Sequence, residues 1–98
     1  MRAGVIYILT NKSHSTLYVG ATSNLKRRIS EHLKKKSSDS FTARYNLSKL
    51  VYFERFENVK DAFQQEKQIK AGSRSKKEKL INSINPDWKD LYDQILKW

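Results

Sequence analysis

Five side chains stand at positions from which they could act on one substrate. Tyr7 ends a "VIY" triplet and Tyr18 opens a "YVG" triplet; Arg28 and His32 follow four residues apart, and Glu66 comes later in a segment of helical periodicity. An arginine presents a planar fork matched to two phosphate oxygens, which lysine cannot copy. An imidazole changes charge near neutrality and can pass a proton. A carboxylate is a hard oxygen ligand suited to Mg²⁺, which needs only one or two of them when a phosphate and waters supply the rest. Each residue alone has an ordinary reading. A strand tyrosine is usually a core aromatic with its hydroxyl satisfied, and a helix-surface histidine or arginine is one polar group among many. Together, in a strongly basic chain, they point to phosphate chemistry.

The elements that must position them can be read from periodicity. Residues 5–9 are β-branched, aromatic and apolar, as in a strand buried on both faces. The polar cluster at residues 10–15 is a turn, and residues 16–20 form a second β-prone run. So short a connection requires antiparallel neighbours, which sets Tyr7 and Tyr18 on adjacent strands. Ser23 or Asn24 caps a helix running to about Lys36, with Leu25, Ile29 and Leu33 as its apolar stripe. Arg28 and His32 share one face of that helix, bordering the stripe.

A polar loop at residues 34–46 precedes a third strand at 47–56. A second helix runs from about residue 60 to 71 and stops at Gly72. Ser75 and Glu78 make a capping-box pattern for a third helix ending near Ile84. Asn85 and Pro86 read as N-cap and first position of a fourth helix, with Trp88, Leu91, Tyr92, Ile95 and Trp98 on one apolar face. The order is β-β-α-β-α-α-α: one α/β (α+β) domain over residues 1–98, a small three-stranded antiparallel sheet flanked by helices.

Glu66 is the most informative position in the second helix. The stripe there is Val59, Ala62, Phe63 and Ile69, and at ~100° per residue Glu66 falls inside it. A carboxylate on a buried face is paired or bound to a metal. The two readings are an ion pair, with Arg28 or a lysine, and a divalent-metal ligand at the floor of a basic groove.

The charge favours such a groove. The chain has 98 residues, with 20 Lys+Arg against 10 Asp+Glu, and a net charge of +10. That excess favours an anionic partner, nucleic acid before an acidic membrane surface. The cations concentrate at residues 26–36 and 67–79, where Arg27, Lys35, Lys36, Lys67, Lys70, Arg74, Lys76 and Lys77, with Arg44 from the loop, are the candidate nucleic-acid contacts. There is no cysteine, which excludes a disulfide framework and a thiolate metal site. The longest apolar run is far too short to span a bilayer and lacks the features of a signal peptide, so the expectation is a complete, cytoplasmic chain with no membrane partner.

The "VIY" and "YVG" triplets, Arg28 ten residues after Tyr18, His32 four further on and Glu66 in a downstream helix resemble the GIY-YIG nuclease family. The segments "FTARYNLSKLVYFERF", "EKQIKAGSRSKKEKLI" and "NPDWKDLY" resemble its short standalone bacterial branch, so that the likeness covers nearly the whole chain. Val5 replaces the glycine of the first triplet, a common substitution in that branch. The resemblance implies a three-stranded antiparallel sheet flanked by helices and Mg²⁺-dependent (or Mn²⁺-dependent) endonucleolytic hydrolysis of a DNA phosphodiester, with RNA not excluded. Repair or recombination is the setting it implies. By that likeness Tyr7 corresponds to the general base, Tyr18 to a hydrogen-bonding partner of water or phosphate, Arg28 to the stabiliser of transition-state charge, His32 to a proton-transfer or positioning group and Glu66 to the metal ligand. The family's late asparagine corresponds to Asn85 or Asn82, with Asn85 favoured. The cations Arg28 and Mg²⁺ are expected to favour the Tyr7 phenolate or to lower the pKa of a bound water. The alternative is a non-catalytic nucleic-acid-binding module with a vestigial site.

Overall fold

The apolar run at the start of the chain becomes the middle strand of a sheet. The computed structural model describes residues 2–33 and 45–98. Its elements are β1 (Gly4–Thr10), β2 (Leu17–Thr22), α1 (Leu25–Leu33), β3 (Lys49–Phe56), α2 (Val59–Ala71), α3 (Arg74–Ile84) and α4 (Tyr92–Ile95), in the expected β-β-α-β-α-α-α order. The strands lie in the order β2-β1-β3, all pairs antiparallel. Every residue of β1 is buried, because both faces of the central strand are covered.

The sheet divides two cores. Val5, Tyr7 and Leu9 pack with Leu25 and Ile29 of α1 and with Leu91 and Ile95 around α4. Ile6 and Ile8 pack on the opposite face with Ala62 and Ile69 of α2 and Ile81 of α3. Gly4 opens β1 where α2 crosses it; a Cβ there would stand 2.7 Å from the Val59 Cα and 2.8 Å from the Ala62 Cβ, so only glycine lets helix and strand approach so closely.

Local chemistry sets the helix starts. Asn24, not Ser23, begins α1: its Oδ1 accepts from the Arg27 amide at 3.1 Å, while Thr22 Oγ1 accepts from the Asn24 amide. Asn58 caps α2 by accepting from the Lys60 amide. Two helix starts depart from expectation. The cap of α3 is Ser73, whose Oγ accepts from the Lys76 amide, so Ser75 lies inside the helix and Glu78 pairs with Arg74 instead of closing a capping box.

The second departure is larger. Asn85 does not start a helix; it ends α3, its amide nitrogen bonding the Ile81 carbonyl. Trp88 has φ 54°, which no α-helix admits, and the last helix begins only at Tyr92. Its N-cap position is Leu91, which has no side-chain cap, and Asp90 just before it accepts at Oδ1 from the amides of Tyr92 and of Leu50 in β3. The expected single apolar face is split accordingly. Leu91, Tyr92 and Ile95 join the Tyr7 core, Trp88 packs on the opposite core, and Trp98 is 44% exposed. No helix among the described residues is long and apolar enough to cross a membrane.

Candidate active site

The β1–β2 hairpin places the two phenols. Tyr7 pairs with Gly20 and Tyr18 with Leu9, so the tyrosines are diagonal neighbours on one sheet face with ring centroids 6.2 Å apart. Gly20 makes this possible. A Cβ at that position would run into Cζ and the hydroxyl of Tyr7, so the phenol lies across bare backbone. The glycine of the "YVG" triplet therefore belongs to the site, although the expected set omits it; the triplet itself carried the signal.

Helix α1 lays Arg28 and His32 against the same hydroxyl. His32 Nε2 is 3.1 Å from the Tyr7 oxygen, and Arg28 Nε donates to it at 3.4 Å. The His32 ring stands 5.8 Å from that of Tyr7 and 5.7 Å from that of Tyr18, so three rings form a near-equilateral triangle. Arg28 keeps 46% of its side chain exposed and also faces Glu31, at 3.5 Å from Nη1. Its fork is thus anchored at Nε by Tyr7 and loosely paired at Nη1 with Glu31, with nearly half of the side chain in solvent.

Burial dominates the protonation states. Desolvation pushes the Tyr7 phenol up to about 12, and the opposing hydrogen bond from Arg28 is the smaller effect. Arg28 does ease Tyr7 toward phenolate, as expected, but desolvation outweighs it, and Tyr7 is a neutral phenol at neutral pH. Desolvation, aided by the Arg28 charge, lowers His32 to about 4, so its imidazole is neutral as well. The hydrogen bond to Tyr7 raises Arg28 further above its usual value. With the His32 proton on Nδ1, one consistent chain of donors results. Arg28 N–H donates to the Tyr7 oxygen, and the Tyr7 O–H donates to a neutral His32 Nε2.

Glu66 lies on α2, which packs on the other face of the sheet against β1 and the edge strand β2. Its side chain is 15% exposed and lies 3.3 Å from Lys70 Nζ, one turn further along α2. Lys70 Nζ in turn stands 5.9 Å from the centroid of the Tyr18 ring, within cation–π range. The lysine partner considered for Glu66 thus exists, and it links the carboxylate to Tyr18. Phe63, expected in the buried stripe, is 45% exposed.

The other expected cations divide. Arg27 is 77% exposed with a loose Glu31 contact at 3.9 Å. Arg74 clamps the β1–β2 loop, donating from Nη1 to the Ser15 carbonyl at 3.0 Å and from Nη2 to that of His14. Lys77 donates to the Gly72 carbonyl at the end of α2. Lys76 and Lys77 line a separate cleft of about 410 Å³ between α2 and α3, while Lys67 is exposed on α2. Lys35, Lys36 and Arg44, and the expected last turn of α1, lie outside the described residues. Asn85 is buried and spent on backbone: its Nδ2 donates to the carbonyls of Val51 and Lys89 at 3.0 and 2.8 Å, and its Oδ1 accepts from the Lys89 amide at 3.0 Å. Asn82 Oδ1 accepts from Trp88 Nε1 at 2.6 Å.

A model of the GIY-YIG catalytic domain matches residues 3–79. The UPF0213 protein of Natronomonas pharaonis is 38% identical over 76 residues, which span 78% of this chain and 87% of that protein. The UPF0213 protein of Clostridium perfringens is 42% identical over 82 residues, spanning 80% and 82%. The solution NMR structure of a UPF0213 protein from Bacillus halodurans matches the fold with a TM-score of 0.56 at 28% identity, over 90% of this chain and 92% of the other.

Proposed function

This chain belongs to the GIY-YIG family, and from that premise we propose that it is a metal-dependent endonuclease hydrolysing DNA phosphodiester bonds on the Tyr7 face of its sheet. The observation that carries the reading is the Tyr7 hydroxyl, held between Arg28 Nε at 3.4 Å and His32 Nε2 at 3.1 Å. With its proton directed to His32, the phenol oxygen keeps a lone pair for the attacking water. Water gives a proton to Tyr7 as Tyr7 gives its own to His32, so no phenolate need exist at rest. The water oxygen bonds to phosphorus as the bond to the leaving oxygen breaks. Arg28, open on one side, takes two phosphate oxygens and stabilises the charge that grows on them. Tyr18 orients the water or phosphate.

The donor set fits a hard divalent cation sparsely. Among the described residues no group of three or more His, Asp or Glu converges; Glu66 is linked to Tyr18 through Lys70, and Glu31 faces Arg28. One carboxylate is enough for Mg²⁺ or Mn²⁺ when phosphate and waters complete the shell. Bound there, the ion would polarise the phosphate and stabilise the leaving oxygen. To hold the ion, Glu66 would give up its Lys70 contact, which would leave Lys70 to the substrate backbone.

The test is plasmid relaxation with and without Mg²⁺. Wild type is expected to nick only with metal, and Glu66→Ala and Tyr7→Phe each to lose about 10²-fold or more. Unchanged nicking by Glu66→Ala would remove the metal assignment. DNA binding without nicking by wild type, in Mg²⁺ and in Mn²⁺, would make the protein a binding module, with the Lys70 grip on Glu66 as the structural cause.

A further inference from the structure

Helix α2 exposes an aromatic residue where its pattern calls for a buried one. Phe63 keeps 45% of its surface open, while its neighbour Ala62 is fully buried at 0%. Phe63, Glu66 and Lys70 fall at i, i+3 and i+7 and make one stripe along the helix. At one end of the stripe Lys70 stands over the Tyr18 ring, and in the middle Glu66 pairs with Lys70. At the other end Phe63 lines a cleft of about 300 Å³ together with Thr22, Asn24, Arg27, Arg28 and Glu31, whose carboxylate faces both arginines at 3.9 and 3.5 Å and would yield them to a phosphate. Arg28 is the side chain that holds the Tyr7 hydroxyl.

An apolar ring therefore stands in a polar cleft, beside two guanidinium groups and one turn from the candidate metal carboxylate. Core packing gives no reason for it, since α2 is anchored on the sheet through Ala62 and Ile69. Its neighbours match the two halves of a nucleotide. Cations take the phosphate, and an exposed aromatic face takes the base.

We propose that Phe63 is a stacking platform for the nucleobase next to the scissile phosphate, and that the substrate is a strand whose nucleotide at the cut is unpaired, as in a single strand, a flap or a gap. A paired base is already stacked between its neighbours and reaches the ring only after leaving the helix. The proposal rests on the nuclease reading above and adds the selectivity of that site.

The test uses a 5′-labelled single-stranded oligonucleotide whose cut position has been mapped with wild type, and copies made abasic on either side of that position. Loss of the stacked base is expected to lower wild-type kcat/KM about tenfold or more. Phe63→Ala is expected to lose about as much on the intact oligonucleotide and nothing further on the abasic one, and Phe63→Trp to restore the difference. Because Phe63 is exposed, Phe63→Ala should keep the wild-type melting temperature. The same base-against-abasic ratio, read as Kd on the Tyr7→Phe protein, probes stacking without cleavage. Absence of cleavage by wild type would sink the nuclease reading, and the Kd ratio would then be read between the intact oligonucleotide and one made abasic throughout. A Phe63→Ala protein that discriminates as wild type does, in both readouts, would overturn the proposal. So would equal cleavage of the same site fully paired.

Discussion

The Tyr7 hydroxyl meets a guanidinium on one side and an imidazole on the other, and the imidazole decides which way its proton points. His32 can accept that proton only while neutral. Burial and the Arg28 charge lower it to about 4 in the folded chain, against the ordinary value of 6.5. Between those values the unfolded chain binds a proton that the folded chain does not, so stability rises with pH across the window. It is fully present above about pH 6.5 and is lost as pH falls toward 4. The acid limb of kcat/KM is expected near pH 4 and not near 6.5. A titration of nicking and of denaturant midpoint from pH 4 to 8, compared with His32→Gln, checks both. An acid limb centred near 6.5 would mean that the imidazole is solvated and does not receive the Tyr7 proton.

The hairpin and α1 make the site local in sequence, while α2 and the turn after α3 tie it to distant parts of the chain. Asn85 is the clearest tie. Its amide bridges the Val51 carbonyl of β3 to both backbone groups of Lys89, holding the segment that leads to α4 against the sheet. Removing it strands buried backbone groups, each worth on the order of 1–3 kcal/mol when left unpaired. Asn85→Ala is expected to lower the urea midpoint by an amount equivalent to about 2–3 kcal/mol at unchanged m-value, with nicking per folded molecule within a few-fold of wild type. A loss of about 10²-fold in nicking at unchanged stability would instead give Asn85 a direct part in the chemistry.

The molecule as a whole is a three-stranded sheet between two apolar layers, with its candidate site wrapped over the free edge of β2. Among the described residues no buried polar side-chain atom lacks a hydrogen-bond partner, so the interior holds no unexplained polar strain. The net charge of +10 is a surface property, and several cations are already engaged within the fold. Nucleic-acid affinity should thus reflect a few phosphate contacts rather than all twenty basic residues. For about four contacts, affinity is expected to fall roughly 10²-fold between 50 and 200 mM salt. Fluorescence anisotropy with a labelled oligonucleotide measures that slope, and a salt-insensitive Kd would exclude phosphate contacts as the source of affinity.

Short-range pattern was enough for the strands, the hairpin and the Arg28–His32 face, because alternation and i, i+4 spacing act within a few residues. It was enough, too, for the element order and for the family likeness of "VIY", "YVG" and their followers. Helical arithmetic put Glu66 and Phe63 on one side of α2 but could not say what stands opposite them. Folding set Lys70, the i+4 partner of Glu66, over the Tyr18 ring and left Phe63 open beside Arg28. The Asn-Pro pair at residues 85 and 86 met the local rule for a helix start, yet the Val51 carbonyl and the Lys89 backbone claimed the asparagine instead. The protonation of Tyr7 and His32 likewise came from assembly, since desolvation depends on everything packed around a group and not on its neighbours in the chain.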